Sequence, residues 1–187
     1  MPNIEDYLKK ADKVYDRIAA VHDDKLELWI DHVVFTWQWW LGVFLTVIPW
    51  VIWFYVRKKD STFRLITAGM FVIIISSWLD FVGVVRGFWH YNYDVIPTLP
   101  AFIPWDFTLL PVTVMLFLQF KPQMNPLIKG IVFAALSSFV GEPLFVWLKV
   151  YEPEKWKYIY SFPILICIYL IAYFISKRNE FEKIKND

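Results

Sequence analysis

The chain has 187 residues, 58% of them hydrophobic and 20% aromatic, and its mean hydropathy of +0.42 is above that of a soluble domain. Its 19 Lys and Arg stand against 18 Asp and Glu, so the basic excess needed for a nucleic-acid partner is missing. The one cysteine, Cys167, excludes a disulfide framework or a cysteine metal site within the chain.

In residues 1–32, Ile4, Leu8, Ala11, Val14 or Tyr15, Ile18 and Val21 recur at helical spacing between charged residues. That pattern predicts an amphipathic helix, lying on the bilayer surface or docking a protein partner. About thirty mixed, charged residues precede the first apolar run, unlike a signal peptide, so the first span is expected to stay uncleaved.

Residues 33–176 read as one bundle. A hydrocarbon core of about 30 Å needs roughly 20 helical residues. Five apolar segments meet that length, at 33–56, 65–85, 101–120, 127–150 and 159–176. Runs such as MFVIIISSWL lack the two-residue alternation of membrane strands. The expected fold class is therefore all-α: an integral membrane helical bundle of five transmembrane helices with an N-terminal amphipathic helix. The connection GFWHYNYDVIPTLPAFIP combines interface aromatics with helix breakers and predicts an ordered cap. Residues 177–187 form a charged tail. Ten Lys and Arg flank the spans on the side of that tail and five on the other, which predicts a multi-pass membrane protein with its N-terminus outside and its C-terminus cytoplasmic.

Ionisable residues within such spans mark sites by default. Asp80 and Glu142 each lie 15 residues along outward-running helices, roughly 22 Å up. Asp106, in FIPWDFTLLPV, falls roughly 7 Å below the outer end of an inward-running one. The three acids and Arg86, at the end of the second span, are thus expected to share one layer. Ser76, Asp80, Gly83 and Gly87 form a small and polar stripe, as do Ala134, Ser138, Gly141 and Glu142, so both acids should face other helices. Pro111 frees the carbonyl of Phe107 beside Asp106, and Pro143 that of Phe139 beside Glu142.

Each acid also has a structural reading: Asp106 as an ordinary helix opening after Pro104, Asp80 as a packing ion pair, with Arg86 free to pair with Asp106, Glu142 or Asp94. His90 lies near this layer, as an interfacial residue or a proton relay; His22, His32 and His90 make no metal motif. The site residues expected from the sequence are Asp80, Arg86, His90, Asp106 and Glu142, with no metal and no cofactor motif. The tryptophans, including Trp89, Trp105 and Trp156, read mainly as membrane-belt residues, with pocket lining as the alternative for some of them.

The motifs SSWLD (76–80), WHY (89–91), PWD (104–106), PV (111–112), EP (142–143) and YSFP (160–163) resemble a family of small multi-pass proteins of Gram-positive spore-forming bacteria. The resemblance implies a bacterial inner-membrane location and a helical fold, and it supplies no catalytic residues. The layout of Asp80, Trp89, Tyr91 and Asp106 is also similar to that of membrane lycopene cyclase domains, although a single acid follows Pro104 where those domains carry an acid pair.

Three functional readings follow. The first is a binding or transport component whose carboxylate pocket, balanced by Arg86, holds a small cation or an amphiphile. With one arginine against three acids, that pocket is expected to hold a proton and to couple to it. The second is a structural or assembly partner of a membrane complex that docks through the N-terminal helix. The third is a lipid- or isoprenoid-modifying enzyme using a carboxyl general acid.

Overall fold

At membrane depth a backbone has no water to bond to, and helices satisfy it internally. The computed structural model describes residues 4–99 and 101–178 and is mostly helical. Four helical stretches are long and apolar enough to cross a membrane: Trp37–Val56, Lys59–Val85, Pro126–Trp147 and Tyr158–Ser176. Before them runs helix α1 (Ile4–His32). The expected amphipathic helix is present, all 29 residues of it, and none is buried. Its end is tied down: Trp29 Nε1 donates to the Asp94 carbonyl at 2.7 Å, and Lys25 pairs with the Asp94 carboxylate at 2.7 Å.

Helix α2 (Trp37–Val56) begins where the Thr36 hydroxyl accepts the amide of Trp39. Helix α3 (Thr62–Val85) ends in a turn that glycine at position 87 makes cheap. Gly87 takes φ +65°, so the amide of Phe88 reaches back to the carbonyl of Gly83 at 2.9 Å and that of Gly87 to Val84 at 2.9 Å. The chain is thereby folded over its own last turn and enters strand β1 (Trp89–Tyr91).

The third expected span is shorter than the sequence suggests. It consists of a first π turn, Pro104–Leu109, and α4 (Leu110–Gln119), together about 24 Å at helical rise. It is the central helix: α4 packs on α2, on α3 and on the later helices Pro126–Leu136 and Tyr158–Ser176, and buries Leu110, Val112, Val114, Met115 and Leu118. Gly69 of α3 lets Met115 come so close that an added Cβ would lie 2.8 Å from its sulfur.

Helix α5 (Pro126–Leu136) is capped by Asn125 and widens into a second π turn, Ser137–Gly141, before α6 (Glu142–Trp147). A second reversed turn, with Lys149 at φ 59°, leads to β2 (Tyr151–Pro153), and α7 (Tyr158–Ser176) completes the bundle. The strands pair antiparallel, Trp89 opposite Pro153 and Tyr91 opposite Tyr151. This short ribbon is the ordered cap expected at the end of the second span.

At the opposite end of the bundle, polar side chains close the helix termini. Lys129, 4% exposed, donates from Nζ to the carbonyl of Phe120 at 2.7 Å. Arg64 donates to the carbonyl of Ser176 at 2.8 Å, and Gln119 accepts from Lys58 N at 3.2 Å while donating to the carbonyl of Val56 at 3.3 Å. The tail beyond Arg178 lies outside the described residues.

Candidate functional site

Asp80 sits one helical turn before Gly83 on the buried face of α3. Because Gly83 has no side chain, the indole of Trp89 lies across the helix there; a Cβ would meet its Cζ2 at 2.0 Å. The indole N–H thereby donates to Asp80 Oδ1 at 2.6 Å, the Tyr91 hydroxyl donates to the same oxygen at 2.8 Å, and the Phe102 amide donates to Oδ2 at 2.9 Å. Tyr91 stacks on Phe102, ring centres 4.4 Å apart. Burial, and then the charge of Asp80, push the Tyr91 phenol well above its ordinary range; burial does the same to Tyr151. Tyr91 is therefore a fixed neutral donor, and Asp80 is fully engaged.

Asp106 is 2% exposed, in the π turn that precedes Pro111. A proline cannot donate to the carbonyl four residues earlier, and the Phe107 carbonyl instead accepts the indole N–H of Trp50 at 3.0 Å. The turn widens so that Leu110 N bonds to the carbonyl of Trp105, five residues back. The carboxyl of Asp106 faces that of Asp80, and among the described residues no donor reaches its Oδ2.

Glu142 repeats the arrangement. The amide of Glu142 bonds to the carbonyl of Ser137, five residues back, directly before Pro143. Gly141 leaves room for the ring of Trp105, 2.8 Å from where its Cβ would be. Ser161, which accepts Trp156 Nε1 at 2.9 Å, stands beside the Glu142 carboxyl, whose Oε2 is buried without a donor among the described residues.

These three carboxylates line one cavity of about 220 Å³, walled by aromatic side chains and by Leu110, Leu165 and Ile168. Asp80, Asp106 and Glu142 are thus brought together as their depths suggested. Arg86 is not: it is exposed at the C-terminus of α3 and forms no ion pair among the described residues, while Asp94 pairs with Lys25. The expectation that Arg86 balances the acids is corrected by the reversed turn at Gly87, which carries the chain over α3 and leaves the arginine outside. His90 is also outside. Neighbouring strand residues point to opposite faces, so Trp89 and Tyr91 turn inward and His90 outward, 3.7 Å from Glu154.

The alternative that some tryptophans line a pocket, rather than the belt reading, holds for Trp89, Trp105 and Trp156; Tyr151, Ser161 and the Phe102 amide were not foreseen from the sequence. The Trp-x-Tyr spacing of WHY was the available signal for two inward donors. Among the described residues no three His, Cys, Asp or Glu side chains converge as a metal ion would require. No family model matches the chain, and no curated protein or solved structure matches it either.

Proposed function

We propose that this is a five-span bacterial cell-membrane protein that binds, and in binding can transport, an amphiphile through its carboxylate cavity near the outer face. The observation that carries the reading is Asp106: buried, its Oδ2 without a donor, in a cavity otherwise walled by aromatic and aliphatic side chains. A polar acceptor left open in an apolar pocket costs free energy unless something else supplies the donor. The amphiphile is favoured over an inorganic cation because the three carboxylates do not converge and the walls are apolar. The short Pro104–Gln119 stretch counts as the fifth span because its neighbours, not lipid, surround it. The resemblance to the spore-former family supports the placement in a bacterial membrane, and the Lys and Arg bias supports the outward orientation of the cavity.

The test is native mass spectrometry of the protein in mild detergent beside Asp106→Asn and Glu142→Gln. A small molecule retained by the wild type and lost from both folded variants supports the reading. If the wild type retains nothing specific and both variants lose stability, the acids hold helices together and the reading falls.

A second reading has its own observation. Helix α1 leaves Ile4, Leu8, Tyr15, Ile18 and Val21 exposed, which suits a partner in a membrane complex as well as a bilayer surface. Stable capture of one protein by the intact chain, abolished by Leu8→Asp and Ile18→Asp together, would favour it.

A further inference from the structure

We infer that the ligand is a lipophilic organic ammonium, its positive nitrogen between Asp106 and Glu142 and its apolar tail leaving sideways between α3 and α7 into lipid. This rests on the binding reading above and names the class of ligand.

Charge is the first argument. Three carboxylates line the cavity, and no Lys, Arg or His is among its lining residues. The one arginine the sequence offered, Arg86, is outside. In a low-dielectric pocket of one sign, a phosphate or carboxylate head is repelled and a cation is held. That separates the ligand from the bulk of membrane lipids, whose heads carry phosphate.

Hydrogen bonding is the second argument. The donors of Trp89, Tyr91 and the Phe102 amide are committed to Asp80, and the open atoms, Asp106 Oδ2 and Glu142 Oε2, are acceptors. A head that satisfies both oxygens must donate. A hydroxyl and an ammonium both do, but eight of the lining side chains are aromatic, and aromatic faces attract a cation and not an alcohol.

Size and surroundings give the route. At about 220 Å³ the cavity is smaller than the roughly 300 Å³ at which pockets enclose a whole drug-sized ligand, so it takes a head and a short length of chain. On the α3 side it is bordered by Leu79 and Val82, which are 40% and 48% exposed on a membrane-length helix; on the α7 side by half-buried Ile164. The ribbon end is closed by Trp89 against Trp156, ring centres 4.9 Å apart, with Phe88 stacked on Trp156. The tail therefore has an apolar exit to the side and none past the ribbon.

The test offers the purified full-length protein, in lipid nanodiscs, dodecylamine, dodecanol and dodecyl phosphate in turn, and reads bound probe by native mass spectrometry. Dodecylamine retained at least tenfold over both others by the wild type, and tenfold less by folded Glu142→Gln, is the expected result. A Val82→Trp variant, which leaves all three acids in place, should slow dodecylamine exchange at least fivefold. If dodecanol is retained as well as dodecylamine and depends on Glu142, the binding reading stands and the ammonium is overturned. Wild-type exchange rates in Val82→Trp overturn the lateral route. Dodecyl phosphate retained best overturns the charge argument, and no retained probe of any kind overturns both this inference and the reading beneath it. The comparison of probes on the wild type needs no variant to fold.

Discussion

The two ends of this bundle treat buried polar groups in opposite ways. At the end where α3 starts and α7 finishes, Arg64, Gln119 and Lys129 each donate to a helix-terminal carbonyl. At the ribbon end, Asp80 takes three donors, yet Asp106 and Glu142, on the same cavity, keep an oxygen that no donor among the described residues reaches. One end spends its charged side chains on closing the helices; the other leaves acceptors open toward a cavity. The difference separates polar residues that stabilise from polar residues that wait for something, which the identities of the residues alone do not.

Four experiments break or sharpen that contrast. The largest effect is expected at Gly83, where even alanine places a carbon against the Trp89 ring. Gly83→Ala should lose about 3 kcal/mol on thermal unfolding in detergent, together with ligand retention. Wild-type stability would mean that the indole does not lie over the helix.

At the closed end, Arg64→Met removes a charge-assisted bond between α3 and α7. A loss of about 2 kcal/mol is expected, with retention unchanged. If retention falls instead, the two ends are not independent.

Glu142→Gln removes charge from an acceptor that lacks a donor, so its stability should shift by less than about 1 kcal/mol, in either direction, while ligand is lost. Destabilisation larger than that of Arg64→Met would place Glu142 with the stabilising residues and dissolve the contrast.

The smallest effect is expected at Lys25, whose side chain is 44% exposed against the buried Asp94. Lys25→Met should cost about 0.5 kcal/mol and speed hydrogen exchange in the last turns of α1. Burial raises the Asp94 carboxyl above its ordinary range, and Lys25 pulls it only partly back. The folded chain then binds the proton more tightly than the unfolded one. Stability linked to Asp94 is present below its unfolded pKa and lost as the pH rises through its folded one, so mild acid should tighten the fold. Asp94→Asn should flatten that part of the pH profile.

Much of this was legible in the sequence, for reasons that can be named. Helical rise is constant, so counting residues from the span ends put Asp80, Asp106 and Glu142 at one level. Proline chemistry is local, so the freed Phe107 carbonyl could be foreseen, though not that Trp50 would bond to it, since the two meet only through packing. Arg86 was misplaced because direction after a helix depends on one φ angle: with Gly87 in the left-handed region the chain doubles back, and the residue before it is thrown outward. His90 was misplaced because a three-residue strand alternates faces, and nothing local announces a strand whose partner lies far along the chain. The third expected segment was drawn too long because its apolar run was read for length alone, whereas α4 owes its apolar residues to packing at the centre of the bundle.

The ribbon has a consequence for the order in which the molecule is made. Its first strand directly follows α3, but the second is not synthesised until α4, α5 and α6 have been, and the carbonyl of Phe88 finds its partners only at the amides of Glu154 and Lys155. Closing a loop of that length is slow compared with forming the helices on either side of it. The ribbon that closes one end of the cavity is therefore among the last elements of the protein to form.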